Sequence, residues 1–502
     1  MFSKLVRGAA PLLFLLCAPA QAQPDPPVAP ADLRGHIEVL ASDAFGGRAP
    51  GTEGETLTVQ YIADQLAGRG VEPAGEGGSW FQTVGLVERA ARGHRVAFSA
   101  DGRALPFDQG DIALQGREPE LRFADAPLVF AGHGARMPDR GVDQLAGADV
   151  RGAIVLILFD GPDVPGFPSF AERVRTVTEA GAAAVIAVTG AELQWSFVTR
   201  NYRRPTTRLA SQVVAPVVGA MPLAAAQRLI EASGGNFSRL LNDQPGSSFR
   251  AVTLPIRADV EVSTAVDAYA SRNVVGRLRG SGATGESLLY LGHWDHFGLC
   301  RPEGEADRIC NGAVDNASGI AMLIEIAGRL ARQPRPARDI LFLATTAEES
   351  GLLGADYFAG HPVVPLASVV AAINLDTVAI HPAGEPVAVI GRGDPALDAA
   401  VDAAVQAMGR RLDADDEADA FVRRQDGWAL ARAGVPAIMV GGSFANMELL
   451  NAFLSGPYHG PEDEVGPGLM LEGAAEDSNL LVALGRRLAD PAAYARPAAS
   501  EE

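Results

Sequence analysis

The sequence predicts an α/β protein: a mixed or parallel sheet sandwiched by helices, with a second, smaller α/β domain inserted into it. Three observations lead to this prediction. From residue 271 onward, strand-like apolar runs alternate with helical ones, which is typical of a sheet covered on both faces. Between about 126 and 257, short apolar strands surround one helix and indicate a separate unit. The length of 502 residues also exceeds what one hydrophobic core usually organises.

The elements follow from the spacing of apolar residues and from the Gly and Pro residues between them. Helical patterns cover 31–41 and 53–69, and Gly70 ends the second. In the inserted segment we expect strands 127–131 and 153–158, helix 170–180 and strand 183–188. The remaining elements are strands 273–278 and 287–292, helix 317–331, strand 339–344, helix 352–359, strand 369–375, helices 396–409 and 428–433, strand 437–440 and helix 472–488.

The first 22 residues have the layout of a cleavable secretory signal. Lys4 and Arg7 precede an apolar run, 9–18, and then the small residues of Ala20-Gln21-Ala22. The run is shorter than the ~20 residues that cross a bilayer, and no later stretch qualifies. We therefore expect an exported protein, periplasmic or extracellular, with no membrane span.

Charge and cysteine content narrow the possible functions. The formal net charge of −19 repels a phosphate backbone, so we expect no nucleic-acid partner. Cys17 is lost with the signal, which leaves Cys300 and Cys310 on either side of a polar loop. A disulfide between them is the expected pairing in an exported chain, and a thiolate metal pair is the alternative.

The first chemical cluster ends the strand at 287–292. His293 and Asp295 are two residues apart, so on a strand they project to the same side, where the carboxylate can orient the imidazole. His296 is expected to project the other way. A histidine at the end of one strand does not by itself indicate a metal ligand.

Three further clusters place acids next to predicted elements. Asp315 stands before the helix at 317–331, where it is either a ligand or a helix cap. Glu348 and Glu349 follow the strand at 339–344; because adjacent side chains diverge, one can bind a metal while the other accepts a proton. Asp376 follows the strand at 369–375, and His459 lies in a Pro/Gly loop. Together these nitrogen and oxygen ligands suit a pair of divalent ions.

The order of these motifs resembles the co-catalytic zinc exopeptidases that include bacterial leucine aminopeptidases and glutamate carboxypeptidases. The motifs are His-x-Asp at 293–295, Asp-Asn-Ala-Ser-Gly at 315–319, Glu-Glu at 348–349, Asn-Leu-Asp at 374–376 and Tyr-His at 458–459. The resemblance implies the zinc-exopeptidase fold, which is phosphorylase/hydrolase-like, and two Zn²⁺ ions as cofactors.

The resemblance also implies a domain layout. The segment 40–52, Leu-Ala-Ser-Asp-Ala-Phe-Gly-Gly-Arg-Ala-Pro-Gly-Thr, is similar to the start of the catalytic domain in this family. The inserted segment resembles a protease-associated domain. We therefore expect a catalytic domain formed by 23–125 and 258–490, the insertion at 126–257, and a flexible tail at 491–502.

Roles carried over from the family fall on matching positions. His293 and Asp376 are implied to bind one zinc, Glu349 and His459 the other, with Asp315 bridging both. Glu348 is implied to be the general base, Asp295 to orient His293, and Tyr458 to help hold the oxyanion.

The segment 424–427 departs from the family pattern. Many members have Arg-Ser-Asp-His before an Ala-Gly-Val-Pro-Ala strand, whereas this chain has Arg424, Gln425, Asp426 and Gly427. This segment lies near the substrate in relatives, so Arg424 and Asp426 are candidate substrate-binding residues. Gly460 stands where Thr or Ser is common.

The sequence favours an aminopeptidase acting on peptides and leaves other functions open. A carboxypeptidase or dipeptidase would use Arg424 and Arg423 for the free carboxylate of its substrate. Glutaminyl cyclase chemistry on a related fold would need one zinc, and a binding protein would have lost the metals. A serine hydrolase is disfavoured because Gly-x-Ser-x-Gly is absent. The oligomeric state is not predicted.

Overall fold

The computed structural model describes residues 26–162, 164, 166–243, 249–282 and 284–496. The predicted signal, 1–22, and the end of the predicted tail, 497–502, lie outside the described residues. Within that part of the chain, no helix is both long and apolar enough to cross a membrane.

One sheet of 15 strands runs through both domains, and two two-stranded ribbons lie apart from it. The strands are β1 (Glu72–Pro73), β2 (Phe81–Ala100), β3 (Arg103–Leu105), β4 (Ala113–Gly116), β5 (Glu120–Phe130), β6 (Arg136–Met137), β7 (Val142–Asp143), β8 (Ile154–Leu158), β9 (Ala184–Thr189), β10 (Thr206–Leu209), β11 (Val217–Pro222), β12 (Val252–Leu278), β13 (Ser287–His293), β14 (Gly298–Leu299), β15 (Ile309–Cys310), β16 (Asp339–Thr345), β17 (Val369–Asn374), β18 (Ala388–Ile390) and β19 (Ala437–Gly441).

The helices lie on both faces of this sheet. They are α1 (Pro30–Leu40), α2 (Glu53–Gly68), α3 (Phe170–Glu179), α4 (Trp195–Arg203), α5 (Leu223–Ala232), α6 (Phe237–Asp243), α7 (Gly319–Ala331), α8 (Leu353–Gly360), α9 (Pro395–Ala407), α10 (Gly427–Arg432), α11 (Met447–Ser455) and α12 (Leu471–Leu488). The predicted helices and strands recur with ends shifted by at most two residues, except that the strands predicted at 127–131 and 273–278 are parts of longer ones.

The larger domain is built on the strand order β18-β19-β17-β13-β16-β12. β13 pairs in parallel with β16 on one side and with β17 on the other. β13 is buried on both faces: Leu288 and Tyr290 pack against the core under α1, α2, α7, α9 and α12, and Leu289 and Leu291 against the core under α8 and α10. Because the chain forms β16 and then crosses to β17, the strand order reverses next to β13. Sites in such sheets form at the carboxyl ends of the strands beside this reversal.

The strand pair β2 and β12 joins the two domains. β12 is 27 residues long and pairs antiparallel with β2 from Arg257 to Val274. Its first half also pairs with β5 of the smaller domain, and its last residues pair with β16 of the larger one. The two domains therefore share one continuous sheet.

The smaller domain has its own sheet order and its own core. β5, β8, β9 and β11 pair in parallel, and β4 closes the edge antiparallel to β11. The core of these strands includes residues from Val96 to Val262, which is wider than the predicted segment 126–257. The assignment of this unit as a protease-associated domain, with those bounds, stays a prediction.

Candidate metal centre

The candidate ligands come from loops at one edge of the sheet. His293 is the last residue of β13, Glu349 follows the end of β16, and Asp376 follows the end of β17. Asp315 lies in an irregular turn, 313–318, just before α7, and His459 lies after α11. The carboxyl ends of three neighbouring parallel strands therefore meet two loops.

The distances among these side chains fit metal ligands. Nε2 of His293 lies 3.3 Å from Oδ1 of Asp315 and 3.5 Å from Oδ1 of Asp376. Nε2 of His459 lies 3.3 Å from Oδ2 of Asp315 and 3.1 Å from Oε2 of Glu349. Bonds of about 2.0 Å in a tetrahedron place ligand atoms about 3.3 Å apart. The donor atoms therefore have the types and spacing of two zinc sites that share Asp315.

Glu348 lies beside this set. Its Oε2 is 3.9 Å from Nε2 of His293, and its backbone N–H donates to Oδ1 of Asp295 at 3.0 Å. Burial raises the pKa of Glu348 well above its ordinary value; the positive charge of His293 opposes this, and nearby Asp426 adds to it. A buried carboxylate whose pKa is raised is suited to accept a proton.

Glu349 has the opposite shift. Burial and the charge of Asp315 act to raise its pKa, but hydrogen bonds from His296 and His459 outweigh them, and the net shift is downward. The pKa values of the two adjacent glutamates are therefore shifted in opposite directions, upward for Glu348 and downward for Glu349.

The structure places Asp295 and His296 differently from the sequence expectation. The carboxylate of Asp295 is 3.9 Å from Nδ1 of His293, whereas its backbone carbonyl oxygen is 3.1 Å from that atom. Instead of projecting away, His296 reaches Glu349, with Nδ1 2.6 Å from Oε1. The reason is that β13 ends at His293, so the alternation of side chains stops there.

Electrostatics around the ligands favour bound cations. Burial acts to lower the pKa of His459, but hydrogen bonds to Asp315 and Glu349 raise it to about 9. Burial raises the pKa of Asp295 to about 7 and that of Asp426 to about 6, against the opposing charge of His293. Raised pKa values at buried carboxylates indicate that the protein does not place enough positive charge near them to balance their negative charge.

Arg48 is a residue of the site that the sequence interpretation missed. Its guanidinium is buried and donates to the carbonyl oxygens of Leu40, Trp294, Asn311 and Gly312. It thereby ties the loop after β13 to the turn that carries Asp315. The motif of residues 40–52 contains Arg48 and was the available signal, but it did not indicate these partners.

Asp463 supports the same turn. Its two oxygens accept hydrogen bonds from the backbone N–H groups of Val314, at 2.9 Å, and Asp315, at 3.0 Å. Burial raises the pKa of Asp463 to about 6 even though both hydrogen bonds lower it. Asp463 therefore fixes the direction in which Asp315 presents its carboxylate.

Tyr458 and Asp426 lie at the cluster, and Arg424 does not. The Tyr458 ring stacks on His459, with centroids 3.6 Å apart. Asp426 is buried and accepts a hydrogen bond from the hydroxyl of Thr345. Arg424 is exposed over the Phe421 ring, 5.5 Å from its centroid, and no contact within the described ranges joins it to the carboxylates.

Gln425 and Gly427, the two residues that depart from the family pattern, contact each other. The side-chain oxygen of Gln425 accepts from the backbone N–H of Gly427 at 2.8 Å. A Cβ atom at position 427 would lie 2.6 Å from that oxygen, so the Gln425 side chain occupies the space beside Gly427. The two changes together keep this segment packed.

A disulfide lies next to the His459 loop. Cys300 and Cys310 are linked, and Sγ of Cys310 lies 3.5 Å from the carbonyl oxygen of His459. β14 and β15, which carry Leu299 and Cys310, pair across the loop that the disulfide closes. The bridge therefore braces the loop beside one candidate ligand.

The chain is similar in sequence to known peptidases. The model of peptidase family M28 matches residues 273–469. A probable zinc metalloprotease of Leptosphaeria maculans is 32% identical over 222 residues, which cover 41% of this chain and 48% of that protein. A probable lipoprotein aminopeptidase, LpqL, of Mycobacterium tuberculosis is 22% identical over 82% of this chain and 72% of its own length. The chain thus spans about half the length of the first of these relatives.

The fold has a solved counterpart. An aminopeptidase from Aneurinibacillus sp. strain AM-1 superposes with a TM-score of 0.50 at 17% identity, over 91% of this chain and 93% of that one. This confirms the predicted fold class. The region 273–469, which is similar to peptidase family M28, contains all five candidate ligands, and this similarity confirms the resemblance to zinc exopeptidases.

Proposed function

We propose that the chain is an exported aminopeptidase that holds two zinc ions and removes residues from the N-termini of peptides. The observation that carries the proposal is the position of Asp315. Each of its carboxylate oxygens faces a different imidazole, and each imidazole faces one further carboxylate. This arrangement gives two sites that share one bridging ligand.

Each proposed site uses its own pair of residues besides Asp315. His293 and Asp376 would hold one zinc, and His459 and Glu349 the other. Two zinc ions at such sites polarise a carbonyl group and lower the pKa of water. Of the imidazoles, His459 is the more exposed, at 36% of its side-chain surface against 2% for His293, so we place the substrate entrance on the His459 side.

Glu348 is proposed as the general base. Its position 3.9 Å from His293, outside the ligand spacing, leaves its carboxylate free to take a proton from the attacking water and pass it to the leaving amine. Burial and the neighbouring acids raise its pKa, which favours holding the proton between the two steps. Tyr458, stacked on His459, is proposed to hold the oxyanion.

The charge of the site favours an amino terminus over a carboxylate as the recognised end. Buried Asp426 lies beside the proposed ligands His293 and Asp376, and its carboxylate attracts a cationic ammonium group. Arg48 already donates to four carbonyl oxygens. Arg423 and Arg424, the candidates for a carboxypeptidase, are exposed and lie over the rings of Trp428 and Phe421. None of these arginines is placed to bind a substrate carboxylate, as a carboxypeptidase would need.

Export is part of the proposal. A disulfide between Cys300 and Cys310 is typical of an oxidising compartment, and it agrees with the predicted signal at 1–22. Both features predict a mature protein that acts on peptides outside the cytoplasm.

The test is hydrolysis of aminoacyl-p-nitroanilides, N-blocked peptides and dipeptides by the mature protein, with metal content measured on the same samples. We expect release from free N-termini only, two zinc ions per chain, loss on chelation, and kcat lowered about 10²- to 10⁴-fold by Glu348→Gln. Glu448→Gln makes the same chemical change on the exposed side of α11 and should leave kcat unchanged.

Other outcomes would replace the proposal. Activity on N-blocked peptides would indicate a carboxypeptidase, and one zinc with cyclisation of N-terminal glutamine would indicate a glutaminyl cyclase. A zinc-loaded protein that cleaves no peptide would leave a binding function.

A further inference from the structure

His296 has a contact that none of the proposed roles uses. Its side chain has no exposed surface, and its Nδ1 atom lies 2.6 Å from Oε1 of Glu349. The other ring nitrogen, Nε2, is buried and has no hydrogen-bond partner among the described residues. Oε2, the second oxygen of Glu349, is the one that faces His459, at 3.1 Å.

The spacing separates His296 from the candidate ligands. Ligand atoms around one zinc lie about 3.3 Å apart, and the four distances that join the proposed ligands run from 3.1 to 3.5 Å. The 2.6 Å contact of His296 is a hydrogen-bond distance, and its Nδ1 is 3.9 Å from Oδ2 of Asp315. His296, Asp315 and Glu349 lie close enough together to hold a metal ion, but the 2.6 Å contact fits a hydrogen bond from His296 to Glu349 better than it fits two ligands of one zinc.

The surroundings hold the imidazole in this place. A Cβ atom at position 312 would lie 2.7 Å from two ring carbons of His296, so only glycine fits there. Gly312 has a φ of +56°, which also favours glycine. On another side, the Phe297 ring meets the imidazole edge to face, with centroids 5.1 Å apart. The backbone N–H of His296 donates to the carbonyl oxygen of Arg48 at 3.3 Å.

We propose that His296 is a positioning residue that binds Oε1 of Glu349 and leaves Oε2 as the single oxygen offered to the zinc beside His459. The inference rests on the proposed two-zinc site and deepens it. Without the donor, Glu349 is free to rotate or to offer both oxygens, and the affinity of that one zinc falls. Glu349 is not among the residues that would hold the zinc at His293 and Asp376, so the affinity of that site should not change.

The experiment compares His296→Leu, which keeps the bulk and removes the donor, with His296→Asn, whose amide N–H₂ can take the place of Nδ1. Zinc affinities are measured by competition with a chromophoric chelator. We expect two zinc ions in the wild type, one affinity lowered about 10- to 100-fold in the leucine variant, and both affinities within a few-fold of wild type in the asparagine variant.

The outcomes separate this inference from the proposed function. A wild type that binds fewer than two zinc ions overturns the proposed function. If the wild type and the leucine variant bind two zinc ions with equal affinity, only the role of His296 is overturned and the proposed function stands. The same holds if the zinc affinity of the asparagine variant is as low as that of the leucine variant.

A measurement on the wild type keeps the test valid if the leucine variant does not fold. X-ray absorption at the zinc edge counts the imidazole ligands. The positioning role predicts two imidazoles for two zinc ions, from His293 and His459. Three imidazoles would make His296 a ligand and overturn the inference.

Discussion

Two buried groups of charged side chains lie along α7, and they balance their charges in opposite ways. At the middle of the helix, Glu325 contacts the guanidinium groups of Arg69 and Arg329, the second at 3.1 Å, and the imidazole of His36 at 3.1 Å. We call this group the Glu325 cluster. Before the helix lies the metal-centre cluster, where carboxylates outnumber cations; its acids are Asp295, Asp315, Glu348, Glu349, Asp376, Asp426 and Asp463.

The same residue type has opposite pKa shifts in the two clusters. Burial acts to raise the pKa of Glu325, but hydrogen bonds with His36 and Arg69 lower it to about 2. Burial raises the pKa of Glu348 well above its ordinary value; the charge of His293 opposes this shift, and the charges of Asp426, Glu349 and Asp376 add to it. A buried carboxylate with cationic partners inside the fold keeps its charge, and removing one partner of such a pair is destabilising, whereas a cluster with surplus negative charge favours a cation from outside.

The largest expected effect is that of zinc on stability. Zinc is proposed to bind the folded metal-centre cluster, so free zinc at about 1,000 times its dissociation constant should stabilise the protein by about 4 kcal/mol for each site that it fills. Asp315→Asn should lose most of this gain, since Asp315 is proposed to serve both sites. The measurement is urea unfolding with saturating zinc and with chelator.

Glu325→Gln is the control for the zinc experiment. It alters the Glu325 cluster on the same helix and should keep the full response to zinc. A zinc response that is equal in wild type and Asp315→Asn would show that the metal binds elsewhere.

The next effect concerns the Glu325 cluster itself. Glu325→Gln should destabilise the metal-free protein at pH 7 by about 2–3 kcal/mol, since a downward shift of one pKa unit corresponds to about 1.4 kcal/mol. The folded pKa of Glu325 lies below its ordinary value of 4.5, so its contribution is present above that pH. It is lost as the pH falls towards 2.

Unfolding in urea at pH 7 and pH 3 checks both the size and the sign. The difference between wild type and Glu325→Gln should be smaller at pH 3. Glu38→Gln, which removes an exposed partner of Arg34 on α1, should change stability by at most about 0.5 kcal/mol at either pH. A difference for Glu325→Gln that does not change with pH would contradict the pKa argument.

The sequence predicted the central sheet because its strands are buried on both faces. β13, β16 and β17 are continuous apolar runs, and each is followed by an acid or histidine that the fold brings to one edge. Such runs need no tertiary information to be recognised. The candidate ligand set was inferred from these strand ends and from the family resemblance, and it stays a prediction.

The sequence did not predict features that depend on contacts between distant segments. β2 carries Glu88, Arg89 and Arg92 in its middle, so it lacks an apolar pattern; its extended form comes from pairing with β12. The partners of Arg48 are backbone carbonyl groups, which every residue type has, so the sequence does not identify them. The position of His296 depends on where β13 ends, and strand periodicity does not reveal that.

The smallest expected effect is an increase in the free energy of unfolding, whereas Glu325→Gln should decrease it. Glu348→Gln should stabilise the metal-free protein at pH 8 by about 1 kcal/mol or more, because a neutral amide removes a buried carboxylate beside Asp426, Glu349 and Asp376. The folded pKa of Glu348 is raised, so its ionisation costs stability as the pH rises above 4.5. The gain should therefore be absent at pH 4, where the carboxyl group is protonated in both the folded and the unfolded protein.

Urea unfolding of wild type and Glu348→Gln in chelator, at pH 4 and pH 8, measures this gain. Zinc held by the cluster as proposed would supply positive charge beside Glu348, so saturating zinc should reduce or reverse the gain in stability. A glutamine variant that is less stable than wild type without metal at pH 8 would mean that Glu348 is neutralised from within, like Glu325. The two clusters would then not differ in charge balance, and the Glu348 carboxylate would not need a cation from outside the protein.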